Sequence, residues 1–329
     1  MSWFSPKRIY LDYAAAAPLL PEAKREMEKY WLKNFYNPNS IYTEGVRVRK
    51  EVEEYRARIA KVLGVAKDSI IFTSGGTEAN VWALRGVGPG KVIVEEGSHP
   101  SVSEAMKGRE GGGTVLVSSI IPDNKLGRKI REKRKKNNSD YPLLHVDASQ
   151  TAAYYNVGLE ALAADLVTLD AAKLGGPKGI GALVVRKGNN IAFPPLGTPP
   201  VPLIAGFCIA LEAAARDREA EYKRLDSLSA RLAEAIGTGV PSAEVKRNAP
   251  NIVQVSVPGI LPELLVLSLD REGVLVSAGP ACDSNKPEPT ETPVRLSLGR
   301  ETTEKDVSEA AKIFCETVEN LLKYSHAAV

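Results

Sequence analysis

Lys173 is the residue in this chain whose type and setting best suit covalent chemistry. It lies in Asp-Leu-Val-Thr-Leu-Asp-Ala-Ala-Lys-Leu-Gly-Gly-Pro-Lys-Gly-Ile-Gly-Ala-Leu, residues 165–183. There a short apolar run with strand character, Leu166 to Leu169, ends in a small-residue turn carrying the lysine. A Gly/Pro-rich segment, Gly175 to Gly179, follows, and then a second apolar run, Ile180 to Val185. Lysine is rarely buried without a partner. One held where a buried strand runs out can have a depressed pKa, which frees its amine to condense with a carbonyl. On these residues alone a solvated loop lysine is the plainer reading, so the elements around it have to decide.

A second stretch, SIIFTSGGTEANVWAL at 69–84, adds a possible anion site. The strand SIIF runs into Thr-Ser-Gly-Gly-Thr, and a helix begins near Glu78. Strand, small-residue turn and helix N-terminus together present free backbone N–H groups and the positive end of the helix dipole to an anion such as phosphate. A tight strand-to-helix turn with no ligand fits the same residues equally well.

Further apolar runs repeat the pattern: KVIVEEGSHPSV (91–102), TVLVSSIIPDNKLG (114–127) and YPLLHVDASQ (141–150). Strands alternating with helical segments indicate a parallel α/β sheet covered on both faces. In such sheets ligands sit at the carboxyl ends of the strands. Thr77, His99, Asn124, Asp147, Gln150 and Lys173 all fall just after strands, and that accumulation argues for one site.

The remaining elements frame this sheet. Pro21 opens a helix expected to run through EAKREMEKYWLKNF to near Asn37-Pro38. Val48, Val52, Tyr55, Ile59, Val62 and Leu63 recur at three- and four-residue spacings, which predicts a long amphipathic helix ended by Gly64. The basic run KIREKRKK (129–136) reads as a solvated helix end. After FPPLGTPP (193–200) come one or two helices rich in Ala, Glu and Arg, then the strands NIVQVSVPG, VLVSAG and VRLSLGR. Thr303 and Asp306 form a capping box for the last helix. The domain organisation expected is a large domain over 16–204 and a small α+β domain built from 1–15 and 205–329.

Totals bound the function. A length of 329 residues with 43% hydrophobic and 25% charged residues is that of an ordinary globular protein with a large core. A net charge of +3 gives no reason to expect nucleic-acid binding. No apolar run reaches the ~18 residues of a membrane span, and MSWFSPKRIY lacks an apolar core of signal-peptide length. Cys208, Cys282 and Cys315 are too few and too scattered for a disulfide framework or a zinc site, which fits a reducing cytoplasm. His99, His145 and His326 show no metal-ligand spacing, so no metal is expected. Cys208 and Cys315 lie in apolar-rich helices and read as core residues, whereas Cys282 lies in a Gly/Pro/polar loop.

The order LD.AA..P, NP.S, IIFTSGGTEAN, H, DN..G, VDASQ, AAKLGGPKGIGAL, GT, SAG.AC and VRLSLGR.TTE resembles the cysteine desulfurases, pyridoxal-phosphate enzymes of the class V aminotransferase group. The resemblance covers almost the whole chain and implies the type I fold of pyridoxal-phosphate transferases, with a mainly parallel, seven-stranded-type sheet. Lys173 matches the lysine that carries the cofactor, His99 the histidine stacked on its ring, Asp147 the carboxylate paired with its pyridine nitrogen and Gln150 the amide at its phenolic oxygen. Gly76 and Thr77 match the phosphate-binding turn, and Thr198 resembles a phosphate-binding threonine offered by a partner subunit. Asn124 and Arg295 match substrate contacts, the arginine for the carboxylate. Cys282 matches the cysteine that receives sulfur as a persulfide.

What this resemblance implies is conversion of L-cysteine to L-alanine in a cytoplasmic homodimer, with sulfur passed to an iron-sulfur scaffold or thiolation protein. Selenocysteine lyase activity, another class V reaction, or a catalytically impaired scaffold subunit are the alternatives. Four departures mark a shortened, divergent member. Asp170 and Ala172 replace a serine and a histidine that contact the cofactor phosphate, and Tyr13, Ala16 and Ala17 replace an asparagine and two threonines near the substrate. The Gly/Arg-rich loop before Gly197-Thr198 is largely missing, and only twelve residues separate Cys282 from Arg295. Two like charges ~4 Å apart cost about 4 kcal/mol at an effective dielectric near 20. Asp170 is therefore expected to point away, to be screened by a cation, or to weaken cofactor binding.

Overall fold

The computed structural model describes residues 8–109, 111–194, 197–279 and 293–326; Cys282 lies outside them. In chain order the elements are β1 (Ile9–Tyr10), α1 (Pro21–Glu28), α2 (Thr43–Leu63), β2 (Ile70–Thr73), α3 (Gly76–Gly86), β3 (Lys91–Val94), α4 (Pro100–Ala105) and β4 (Thr114–Ser119). Next are α5 (Lys125–Asn137), β5 (Leu143–Asp147), β6 (Leu166–Asp170), β7 (Gly181–Val185) and a long α6 (Val201–Gly239). The chain closes with β8 (Glu244–Ala249), β9 (Ile252–Ser256), α7 (Pro262–Arg271), β10 (Val274–Leu275), β11 (Ser277–Ala278), β12 (Val294–Ser297) and α8 (Glu304–His326).

Two compact units result, one from Pro18 to Arg218 and the other from the residues up to Ala17 with those from Glu219 onward. The division falls inside α6, which is a single helix through the boundary expected near 205. The larger unit is built on a sheet of order β2-β7-β6-β5-β4-β3. Strands β3 to β6 run parallel, and β7 runs antiparallel to both its neighbours. Six strands stand among the described residues where the resemblance implies seven. Among the described residues the connection from β3 to β4 holds one element, α4.

Period-two alternation divides this sheet between two cores. Leu144, Val146, Val167, Leu169, Ala182 and Val184 pack with Val48, Val52, Ile59 and Leu63 of α2 and with Ile204, Phe207 and Leu211 of α6. Leu143, Leu166, Leu183 and Val185 pack on the other face with Ala79, Trp82 and Ala83 of α3 and Val102 and Ala105 of α4. Burial on both faces explains the unbroken apolar runs of β5, β6 and β7. The expected long helix is present as α2, and Gly64 ends it in a left-handed conformation, φ 65°. The first helix is shorter than expected and stops at Glu28. Tyr30 is drawn inward, its hydroxyl 2.9 Å from that of Tyr55, while Trp31, Leu32 and Phe35 stay exposed; the stretch has no single apolar face to bury as a helix.

The smaller unit has an antiparallel sheet of order β11-β12-β9-β8 and a parallel pair, β1-β10. Helix α8 buries Val307, Ala310, Ala311, Phe314 and Val318. Its N-terminus carries the expected box: Thr303 N–H donates to Asp306 Oδ2 at 3.0 Å and Asp306 N–H donates to Thr303 Oγ1 at 3.1 Å.

Candidate active site

The parity of β5 decides what its last residue meets. Asp147 lies on the same face as Leu143 and His145, the face covered by α3 and α4, and is 9% exposed. Its Oδ2 accepts from Asn80 Nδ2 of α3 at 2.7 Å, and its Oδ1 accepts from the Ser149 N–H at 3.0 Å. Asn80 also donates to Ser101 Oγ of α4 at 3.1 Å. Ser101 Oγ lies 2.7 Å from His99 Nδ1, and the Ser101 N–H donates to the same nitrogen at 3.1 Å.

These contacts have one consistent direction. The two Asn80 amide protons go to Asp147 and to Ser101, so the Ser101 hydroxyl proton points at His99. Nδ1 of His99 is therefore an acceptor, and a proton carried by the ring sits on Nε2. A four-residue relay thus joins Asp147 to His99 through Asn80 and Ser101, two residues to which sequence reasoning gave no role. Their signal was available: Asn80 is a polar residue between buried Ala79 and Trp82 on the core face of a helix.

One strand over, Asp147 is level with Thr168 of β6, and Asp170 follows two residues later on the same face. Asp170 Oδ1 accepts from the Ala172 N–H at 3.0 Å and caps a single 3-10 turn, Ala171–Lys173. Lys173 closes that turn and is half-buried. Asp170 pairs with Gly181 of β7, and Gly181 pairs with Thr73 of β2, which brings the Ser74–Gly76 turn alongside Asp170. Gly181 permits this approach, because a Cβ there would lie 2.5 Å from Leu169 O and 2.8 Å from the Gly75 carbonyl carbon. The turn starts α3 at Gly76, with Gly75 as N-cap at φ 154°.

Beneath Asp147, the fully buried His145 bonds Ser118 Oγ and Thr168 Oγ1, each at 2.9 Å. Burial pushes its pKa down to about 4, against the opposing pull of the Asp147 charge. His145 is thus neutral at pH 7 and leaves Asp147 without a cationic neighbour on that side. Cys208 is buried, and burial raises its thiol to about 12, as suits a core cysteine. Cys315 is half-buried, and its thiol is likewise raised by burial.

The other expected residues are placed as follows. Gly76 and Thr77 open α3, Thr77 being exposed. Gln150 is exposed just past Asp147, and Asn124 is the N-cap position of α5 without a side-chain cap bond. Thr198 is exposed before α6. In the smaller unit, Arg295 of β12 donates from Nη2 to Asp12 at 3.0 Å, and its buried Nε has no hydrogen-bond partner among the described residues. Hydrogen bonds thus join His99 to Asp147, and Gly76 to the Asp170 that precedes the lysine turn. None of them joins Asn124 or Thr198 to the group. Among the described residues no cluster of three metal-ligating side chains occurs, and no helix is long and apolar enough to cross a membrane.

The donor set fits pyridoxal phosphate at the ring end. Asp147 is a nearly buried carboxylate, held by a side-chain amide and a backbone amide, and no lysine or arginine pairs with it among the described residues. A carboxylate so placed favours a cation, and a protonated pyridine nitrogen is one.

The sequence matches the aminotransferase class-V family over residues 9–124, 124–197 and 195–309. It is 31% identical to the cysteine desulfurase IscS of Dictyoglomus turgidum, covering 96% of this chain and 95% of that protein. It is 30% identical to the cysteine desulfurase IscS of Methanosarcina thermophila, covering 97% and 94%. Among solved structures, a NIFS-like protein superposes with a TM-score of 0.83 at 27% identity, covering 95% of this chain and 99% of that one. An apo cysteine desulfurase from Thermococcus onnurineus NA1, at 20% identity and a TM-score of 0.79, shares the fold. A match that runs from β1 into α8 takes in both units, and the chain belongs to the class-V aminotransferase family, with its matched relatives among the cysteine desulfurases.

Proposed function

We propose that this chain is a pyridoxal-phosphate-dependent cysteine desulfurase that converts L-cysteine to L-alanine and passes the sulfur on through Cys282. The observation that carries the reading is Asp147: a carboxylate at the end of a buried strand, fixed by Asn80 and Ser149 and lacking a cationic partner among the described residues. Pyridoxal phosphate, when bound, supplies an electron sink for the charge that develops at the substrate Cα. Asp147 would hold the proton on the ring nitrogen. Lys173, at the end of the neighbouring strand, would hold the cofactor and then act as the base that moves the Cα proton. His99, with Nδ1 engaged by Ser101, would present Nε2–H toward the reacting groups.

Arg295 is the proposed anchor for the substrate carboxylate, which a guanidinium binds through two parallel hydrogen bonds. Cys282 would attack the substrate sulfur as a thiolate, so that an S–S bond forms as the Cβ–S bond breaks; the carbon fragment takes up a proton and leaves as alanine. Gly76 and Thr77 at the start of α3 would meet the cofactor phosphate, with Gln150 at the ring oxygen and Asn124 at the substrate. A homodimer is part of the proposal. Thr198 is exposed, and Trp31, Leu32, Phe35, Ile41 and Tyr42 form a run of exposed large apolar residues suited to burial against a second copy.

Two measurements test the reading. Purified protein mixed with pyridoxal phosphate should gain the visible absorbance of a lysine-bound cofactor, and Lys173→Ala should abolish it. Cys282→Ala should keep the absorbance and lose persulfide and alanine formation. Full alanine production by Cys282→Ala would overturn the sulfur-transfer role.

A further inference from the structure

The phosphate end of the site already contains an anion supplied by the chain. Asp170 Oδ2 lies 3.5 Å from the backbone nitrogen of Gly76, the first residue of α3. A Cβ built on Gly76 would lie 3.4 Å from that oxygen and 2.8 Å from Ser149 Oγ, so the two side chains converge on the start of the helix. Ser149 Oγ is buried and has no hydrogen-bond partner among the described residues. Helix α3 is eleven residues long, and its first amides have no intrahelical acceptor. The carboxylate is tethered there by the Ala172 N–H, which its other oxygen accepts at 3.0 Å. It does not point away from the turn.

We propose that Asp170 is an internal competitor for the cofactor's phosphate group. With the site empty, the carboxylate supplies the negative charge that the start of α3 favours. When a phosphate enters, the two anions face the same amides, and the chain holds the phosphate more weakly than it would with a neutral side chain at this position. The buried Ser149 hydroxyl is the unused donor that an incoming phosphate oxygen would engage. This proposal rests on the pyridoxal-phosphate reading, and it concerns only the phosphate half of that ligand.

The test separates that half from the rest. Apo wild type, Asp170→Asn and Asp170→Ser are titrated with pyridoxal phosphate and with pyridoxal, which has the same aldehyde and ring but no phosphate. Asparagine retains an acceptor for the Ala172 N–H, so the turn survives the loss of charge. The expected result is a dissociation constant for pyridoxal phosphate lower by at least about tenfold in the variants, with pyridoxal unchanged. A cofactor-free arm follows thermal unfolding with and without inorganic phosphate. Asp170→Asn should melt about 1–3 °C lower in phosphate-free buffer and gain more from added phosphate than wild type does. Equal shifts for pyridoxal and pyridoxal phosphate, or no shift in either arm, would overturn the role of Asp170. If no protein took up either aldehyde while the inorganic-phosphate arm behaved as expected, the cofactor reading would fail and the competition for phosphate at α3 would stand.

Discussion

Removing Asn80 tests the relay at its centre. The side chain is 1% exposed and donates at 2.7 Å to a carboxylate and at 3.1 Å to a hydroxyl. A hydrogen bond to a charged acceptor contributes about 1.5–3 kcal/mol and a neutral one about 1 kcal/mol. Against this, Asn80 Oδ1 is buried with no partner among the described residues, and deleting it recovers about 1 kcal/mol of desolvation cost. Asn80→Ala is therefore expected to lose about 1.5–3 kcal/mol. For a unit of about 200 residues that is a fall of roughly 3–12 °C in the apo melting temperature. A double-mutant cycle with Ser101→Ala should show a coupling of about 1 kcal/mol, since one removed partner already frees the other. Nitrogen NMR on labelled histidine adds a readout that stability alone would not move. In wild type His99 Nδ1 accepts from both the Ser101 hydroxyl and the Ser101 N–H, and in Asn80→Ala, with the serine hydroxyl free to turn, it keeps only the backbone bond, so its nitrogen resonance should shift. Strict additivity together with an unchanged His99 signal would refute the relay.

Other consequences follow from individual contacts. His145 is held neutral by burial, with a folded pKa of about 4 against 6.5 for an exposed histidine. Below pH 6.5 the unfolded chain takes a proton that the folded chain refuses until near pH 4, so stability is full above that window and falls by up to about 3 kcal/mol through it. Urea melts at pH 7, 6 and 5 should show this slope, and His145→Gln should flatten it. Gly181→Ala would place a methyl group 2.5 Å from the Leu169 carbonyl oxygen and 2.8 Å from Gly75. Because both neighbours are backbone, it should cost at least ~2 kcal/mol by denaturant melts, and a wild-type midpoint would show that β7 and the turn before α3 move apart freely.

What the sequence made readable was the part of the fold set by local pattern. Unbroken apolar runs marked β5, β6 and β7, three- and four-residue spacing marked α2, and a box marked the start of α8. Strand β8 carries Glu244, Lys246, Arg247 and Asn248 on a sheet edge, so it has no alternation strong enough to show itself. The end of α1 was lost for a related reason: Tyr30 leaves the helical path to reach Tyr55, 25 residues away in the chain. Candidate residues at strand ends were visible because the strands were. The relay was not, because Asn80 and Ser101 lie on different helices and meet only when both cover one face of β5. Asp170 was visible as an oddity of type, but its direction was not; only the register of β6 on β7 and of β7 on β2 aims it at α3.

That register gives two aspartates of opposite consequence at the ends of neighbouring strands. Asp147 and Asp170 lie on the same face of β5 and β6, and each accepts from an amide two residues further along the chain, at 3.0 Å in both cases. What differs is the second oxygen. That of Asp147 is held by the Asn80 side chain in a buried position that suits a cation, whereas that of Asp170 faces the first amide of a helix, where an anion belongs. Neutralising each with asparagine should therefore move cofactor affinity in opposite directions. Asp147→Asn should weaken pyridoxal and pyridoxal phosphate alike, by about tenfold or more, because the lost charge faces the ring they share. Asp170→Asn should tighten pyridoxal phosphate alone. Isothermal titration of the two variants with the two aldehydes gives four numbers, and only one pattern of signs agrees with this arrangement. If both substitutions weakened both ligands, the aspartates would be acting as structural caps at the ends of β5 and β6, with no division of charge between them.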